Sequence, residues 1–256
     1  MADNRLNILL TNDDGVNADG LLYLQEELQK LGRVTVVAPH SEKSGASHSI
    51  SLNQTFQIAE LDTNRFALRG TPADCVMFAI KKMMDSLPDI VVSGINHGPN
   101  MGDDIIYSGT VAGAREGALN GILSFAFSIA GETGDDTFRY AAGFARKLIT
   151  RIQSYELPPG SLFNVNIPGG SPTRFRFTCQ GTKRFEGNIE EFIERGQGRV
   201  YRVTRGESDW KPEPDTDLAA VSEGIVSVTP LHCDQTDYRQ TEFLIRKNLQ
   251  KEPPLK

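Results

Sequence analysis

Cysteine is scarce in this sequence and tryptophan scarcer: Cys75, Cys179, Cys233 and the single Trp210 in 256 residues. The cysteines are odd in number, far apart and form no C-x-x-C pair. That excludes a disulfide framework and a zinc ribbon, and leaves reduced thiols, expected to be buried. No apolar run approaches the ~20 residues needed to span a bilayer. The start, Met1 to Arg5, is polar and lacks the apolar stretch of a signal peptide. These absences predict a cytoplasmic protein with no membrane association. Positive charge is also short: 27 Lys+Arg stand against 33 Asp+Glu, a formal net charge of −6. There is no basic footprint for duplex nucleic acid, and an anionic ligand must be met by local positive potential. Several motifs are missing too. There is no G-x-x-x-x-G-K-[ST], no G-x-G-x-x-G or Asp-x-Asp after the first apolar run, and no G-x-S-x-G. These absences exclude a P-loop, a dinucleotide-binding Rossmann site, a haloacid-dehalogenase-type phosphatase and a hydrolase nucleophile elbow.

What is present is a soluble, globular composition, 39% hydrophobic and 23% charged, long enough for one large domain or two small ones. Leu6 to Gly15 opens with the apolar run Ile8, Leu9, Leu10 and stops at Thr11, Asn12, Asp13, Asp14 and Gly15, which reads as a buried strand ending in a loop. Asp19 to Leu31 carries a helical stripe of leucines closed by Gly32, and Val34 to Ala38 is a second strand. Strand, helix, strand in this order is a βαβ unit, the unit of parallel sheets. Residues 51–68 read as an irregular hairpin, and Thr71-Pro72 as a helix start running to about Met84. Asp89 to Ser93 is a third parallel strand. A helix of small residues follows Ser108; its Gly113 and Gly117 are expected to be offset by close packing on the sheet. Strands at 122–129 and 162–167 flank a helix at 137–152. Beyond Pro168, 173–180 alternates and 181–215 lacks helical stripes, so hairpins or loops are expected there. Asp215, Thr216 and Asp217 read as a turn. A strand at 224–228 and a tail helix at 240–249 complete the chain. The predicted architecture is α/β: a Rossmann-like, mostly parallel sheet flanked by helices in three layers, as one domain overall. Its parts are a core over 1–168, a protruding hairpin region over 169–222, and a last core strand with its tail over 223–256.

Three loops leave one edge of that sheet: 11–17, 40–48 and 94–110. Between them they bring Asp13, Asp14, Ser44 and Asn96. In open α/β sheets ligands bind outside the carboxyl ends of the strands, and an all-oxygen set with two carboxylates suits a hard divalent cation, Mg²⁺ or Mn²⁺ before Ca²⁺. Taken alone, Asp-Asp-Gly is more commonly a turn; the company of the other two loops favours the metal. Ser108, Gly109 and Thr110 open a helix, whose free N–H groups suit phosphate, with Asn96 and Asn100 adding side-chain donors. Ordinary capping by Ser108 is the alternative. A metal beside an anion cradle points to phosphoryl chemistry. His40, His48, His97 and His232 are the acid–base candidates, Lys43 a loop charge, and Trp210 a packing residue or a partner contact.

These segments resemble the survival protein SurE family of nucleotide phosphatases. The likeness is carried by Leu9 to Gly15 with its Asn-Asp-Asp-Gly, Lys43 to Ser47, Gly70 to Cys75, and above all Asp89 to Gly113, which contains Gly-Ile-Asn-His-Gly-Pro-Asn and Tyr-Ser-Gly-Thr-Val. It covers the amino-terminal half and extends through Leu162 to Pro168 and Val226 to Pro230. The resemblance implies a metal-dependent phosphomonoesterase, a 5′-nucleotidase acting on nucleoside 5′- and 3′-monophosphates and on short polyphosphate. One divalent cation is held by Asp13, Asp14, Ser44 and Asn96, and phosphate is bound near Asn100, Ser108, Gly109 and Thr110. It also implies a homodimer or tetramer that exchanges carboxyl-terminal segments. His97 stands where the family often has a small residue. Whether Asp13 or Asp14 is nucleophile, base or ligand stays open at this stage. Two rivals remain: a sensor that binds metal and nucleotide without turnover, and a purely structural oligomer.

Overall fold

A computed structural model describes residues 5–183, 187–194, 198–205 and 213–247. Trp210, the Pro-rich stretch around it and the end of the tail lie outside the described residues. In chain order the elements are β1 (Leu6–Thr11), α1 (Asp19–Leu28), β2 (Gly32–Pro39), β3 (Ile58–Asp62), β4 (Arg65–Leu68) and α2 (Pro72–Phe78), the last continuing into a π-helical turn at Ala79–Met83. Then come β5 (Ile90–His97), the short α3 (Asp104–Tyr107), α4 (Gly109–Leu119), β6 (Leu123–Ala130), α5 (Asp135–Ile152) and β7 (Leu162–Pro168). The chain ends with β8 (Phe175–Phe177), β9 (Gly187–Glu194), β10 (Gly198–Arg205), α6 (Asp217–Ser222), β11 (Val226–Leu231) and α7 (Tyr238–Arg246).

Nine strands form one sheet in the order β3-β4-β2-β1-β5-β6-β7-β11-β8, and β9 and β10 form a separate two-stranded antiparallel hairpin. The six strands from β4 through β7 are mutually parallel, while β3 and β11 run antiparallel to β4 and β7. Buried on both faces, the central strands are mostly apolar. Alternate side chains serve opposite layers. Ile8 and Leu10 pack with Leu21, Leu24 and Leu28 of α1 and Phe138 and Leu148 of α5, whereas Leu9 packs with Cys75 and Val76 of α2. This is the three-layer α/β/α arrangement that the βαβ pattern predicts.

Helix α4 lies on the second face, against β5 and β6. A Cβ on Gly117 would stand 2.6 Å from the Val91 Cβ and one on Gly113 2.8 Å from the Thr11 Cγ2. Close approach to the sheet is what these two glycines provide, as expected. Helix α2 starts as Thr71-Pro72 predicts: Thr71 accepts from the Asp74 N–H at 3.2 Å, and the Asp74 carboxylate accepts from the Thr71 N–H at 2.9 Å.

Four expectations change. Gly32 does not cap α1, which ends at Leu28 with Gln29 as its cap. It begins β2, where a Cβ would sit 2.0 Å from the Leu6 carbonyl oxygen. Asp215 to Asp217 is not merely a turn: Thr216 caps α6 by accepting from the Ala219 N–H, and Asp217 is the helix's first residue. The last strand continues to Leu231 through pairing with β7. The thiols are free, but only Cys75 is buried; Cys179 is exposed. Among the described residues no helix is long and apolar enough to cross a membrane.

Candidate active site

From β1 the chain crosses to β2 on one side, and β5 and its successors lie on the other. The loops leaving β1 and β5 therefore diverge and open a crevice, the usual ligand position in such sheets. Asn12, fully buried, shapes the first loop: its amide donates to the Gly15 carbonyl at 2.9 Å and accepts from the Gly15 N–H at 3.3 Å. This closed turn presents Asp13 and Asp14. The Asp13 carbonyl accepts from the Lys43 N–H at 2.7 Å, which ties in the 40–48 loop that carries Ser44.

The two aspartates differ in setting. Asp13 is 4% exposed and accepts a hydrogen bond from the Thr110 hydroxyl. Burial pushes its carboxyl up from 3.8 to about 6, with Thr110 opposing and the Asp14 charge adding to the rise. Asp14 is half-buried and accepts from the His97 N–H at 3.3 Å. Burial raises its carboxyl as well, against the opposing pull of His97. No described lysine or arginine is among the groups acting on either carboxyl. Asn96, from β5, donates through Nδ2 to the Gly98 carbonyl at 2.8 Å, which leaves Oδ1 as its acceptor for a ligand. Ser44 donates to Glu42 Oε1 at 2.7 Å and keeps its own oxygen available.

Two clefts meet here. One, of about 330 Å³, is lined by Asp13, Asn96, Asn100, Tyr107 and Ser108 together with Val203 and Thr204 of the hairpin. The other, of about 380 Å³, is lined by Asp14, Asn17, Asp19, Glu42 and Phe138. Ser44 and His97 line both. Of the four histidines only His97 does so. It packs edge-on against Phe138, with ring centroids 5.5 Å apart, and its Nε2 is hydrogen-bonded to the Thr133 hydroxyl. His48 is paired instead with Glu116 at 2.9 Å.

The start of α4 adjoins Asp13 directly. Ser108 Oγ accepts from the Val111 N–H at 3.0 Å, the capping role weighed above. A Cβ on Gly109 would lie 2.8 Å from the Asp13 Cβ, so only glycine permits this approach. Thr110 is fully buried and its hydroxyl is committed to Asp13. Its side chain and its backbone N–H therefore both act on the Asp13 carboxylate.

Asn100 rests on residues that the sequence did not single out. Asn166 Oδ1 accepts its N–H at 2.8 Å, Asn164 and Asn166 donate to its carbonyl at 2.8 and 3.1 Å, and its own Nδ2 donates to Ser128 Oγ at 2.8 Å. Their signal was two asparagines at alternate positions of an otherwise apolar strand, hence on one face. Asp217 was missed too. Fully buried, it accepts from the N–H groups of Gly102 at 3.1 Å and Gly181 at 2.8 Å, joining the 94–110 loop to the base of the hairpin. Lys183 adds an ion pair to Asp104 at 3.0 Å.

The oxygens of Asp13, Asp14, Ser44 and Asn96 fit a hard divalent cation. The buried Asp13 carboxylate lies beside a second carboxylate and has no cationic partner among the described residues, and two negative charges match one divalent ion. Among the described residues no group of three or more His, Cys, Asp and Glu could hold a metal, so the amide and hydroxyl oxygens are needed to complete this set.

A profile of the family described as Survival protein SurE matches residues 8–187, which include every residue named for the cation and for phosphate. The chain belongs to the survival protein SurE family. A SurE relative in Moorella thermoacetica, named 5′-nucleotidase SurE, is 43% identical over 246 residues, 93% of this chain and 94% of that protein. Its namesake in Syntrophotalea carbinolica is 41% identical over 240 residues, 93% of this chain and 96% of that one. The crystal structure of the SurE protein from Aquifex aeolicus aligns with a TM-score of 0.81 at 37% identity, covering 94% of this chain and 99% of that chain.

Proposed function

We propose that this protein is a metal-dependent 5′-nucleotidase, a phosphomonoesterase that converts nucleoside 5′-monophosphates to nucleoside and phosphate. The observation that carries the proposal is the Asp13–Asp14 pair. Two carboxylates with no described lysine or arginine acting on them adjoin a helix start and a cleft that carries Asn100, in a chain whose relatives bear the name 5′-nucleotidase.

Asp13, Asp14, Ser44 and Asn96 would hold one Mg²⁺ or Mn²⁺. Such an ion, when bound, supplies electrostatic stabilisation of the transferring phosphoryl group. The protein's own groups do the rest. Asn100 and the backbone N–H at Gly109 bind phosphate oxygens, beside the Thr110 that holds Asp13. Thr110 keeps Asp13 Oδ1 oriented, and Asn166 and Asn164 keep Asn100 in place. Asp14, half-buried in the neighbouring cleft, would add the second carboxylate to the ion. Asp13, buried and hydrogen-bonded, serves as fixed charge.

The reading extends to 3′-monophosphates and short polyphosphate, to the cytoplasm, and to a homodimer or tetramer formed through the 169–222 region and the tail. Support for assembly comes from the exposed Ile189, Ile193, Tyr201 and Val203 on the hairpin and from α7, which buries no residue within the chain.

Phosphate release from AMP with Mn²⁺, compared with an EDTA-treated control, is the test. Metal-dependent release is expected. Binding of AMP without release would instead support a nucleotide sensor and overturn the enzymatic reading.

A further inference from the structure

A phosphomonoester has two dissimilar ends, a dianionic phosphate and a neutral leaving group, and the crevice has two dissimilar clefts. Their linings differ in charge. The Asp13 cleft adjoins the start of α4 and carries Asn100; of its two carboxylates, Asp13 is assigned to the cation and Asp104 is paired with Lys183 at 3.0 Å. The Asp14 cleft carries, besides Asp14, the carboxylates of Asp19 and Glu42, and neither of these is ion-paired to a described lysine or arginine. A phosphate is repelled there, whereas hydroxyl groups find acceptors. Its volume, about 380 Å³, falls in the range of small-molecule pockets.

Resting on the nucleotidase reading, we propose that the Asp14 cleft receives the nucleoside half of the substrate and that Asp19 and Glu42 recognise its ribose hydroxyls. The position follows from the shared wall. Ser44 and His97 line both clefts, so a substrate whose phosphate lies beside Asp13 passes between them into the second. Glu42 gives Oε1 to Ser44 at 2.7 Å and has Oε2 left for a ligand. Asp19, exposed in the first turn of α1, has its carboxylate at the rim. His97 closes one side, braced by Thr133 and Phe138. Asp19 and Glu42 are thus specificity residues, which discriminate a ribonucleotide from a phosphomonoester without vicinal hydroxyls.

The test uses the Mn²⁺-loaded full chain with AMP, dAMP and p-nitrophenyl phosphate. Asp19→Ala is expected to raise KM for AMP about tenfold, the effect of losing one hydrogen bond to a charged group. It should narrow the preference for AMP over dAMP and leave the constants for p-nitrophenyl phosphate unchanged. Glu42→Gln, which keeps an acceptor for Ser44, should act in the same direction. Equal changes on AMP and p-nitrophenyl phosphate, no change on either, or an AMP-specific loss that appears in Tyr107→Ala and not in Asp19→Ala would overturn the proposal. A wild-type chain that hydrolyses neither substrate would overturn the nucleotidase reading and this inference with it. Turnover with unaltered selectivity overturns this inference alone.

Discussion

A single side chain, Asn166, engages both backbone groups of Asn100: its Oδ1 accepts the Asn100 N–H at 2.8 Å and its Nδ2 donates to the Asn100 carbonyl at 3.1 Å. All of these groups are buried, so neither can turn to water instead. Asn166→Ala leaves the Asn100 N–H unpaired, while the carbonyl keeps Asn164. The expected cost is about 1–3 kcal/mol, read as a lowered melting temperature. A displaced Asn100 should also raise KM for AMP and weaken inhibition by inorganic phosphate. Unchanged phosphate inhibition would mean that Asn166 serves the fold alone.

Asp13 couples stability to pH with a definite sign. Burial holds its carboxyl at about 6 in the fold, against an ordinary 3.8, so the folded chain favours the protonated form. Its contribution is full below an unfolded pKa near ~4, is lost as pH rises through about 6, and stays lost above. A shift of about two pKa units corresponds to roughly 3 kcal/mol. Without metal, Asp13→Asn should therefore melt several degrees above wild type at pH 8 and close to it at pH 4, since the amide oxygen still accepts from Thr110. The same variant should release no phosphate from AMP. Melting curves at the two pH values, with a phosphate assay, check both halves.

Glycine at 109 is a steric requirement. An added Cβ would lie 2.8 Å from the Asp13 Cβ and 2.9 Å from Oδ2, so Gly109→Ala must move the helix start or the carboxylate. A loss of about 1–3 kcal/mol in stability and of most turnover is expected. Gly143, within α5, is the control, because a Cβ there meets nothing within 4 Å. Gly143→Ala should gain about 0.5–1 kcal/mol in stability and leave kcat and KM unchanged.

At acid pH the sign reverses at Asp74. Burial raises its carboxyl, but hydrogen bonds from Ser51 and Thr71 outweigh burial and hold it below the usual value. The Ser51 N–H and hydroxyl donate to it at 2.9 and 2.7 Å. Its stabilisation is present above the unfolded pKa, near ~4, and is lost as pH falls through the lowered folded value. Asp74→Ala should flatten the acid side of a stability-against-pH curve and weaken the start of α2 at all higher pH. A curve of unchanged shape would refute the assignment.

Much of this fold was legible because its signals are local. Period-two and helical patterns within a dozen residues located the strands and helices, and Thr71-Pro72 identified a helix start that the structure contains. Parallel strands followed from the βαβ pattern, so the loops bearing Asp13, Ser44 and Asn96 could be assigned to one edge. What stayed hidden was partner choice. Thr110 was placed among the phosphate contacts, yet its side chain is committed to Asp13, 97 residues away. Asp217 read as part of a turn, yet it secures Gly102 across 115 residues. Asn164 and Asn166 drew no attention until β7 came beside the Asn100 loop.

The sequence by itself determined the succession of elements, the edge at which the functional loops gather, the oxygen character of the candidate ligands and the resemblance to a family. Only the tertiary structure decided that Asp13 is buried while its neighbour lines a different cleft, and which distant hydroxyl or amide satisfies each polar group. The reason is physical. Backbone periodicity is set by neighbours in the chain, but burial and hydrogen-bond partnership depend on residues that meet only once the sheet and its covering helices have packed.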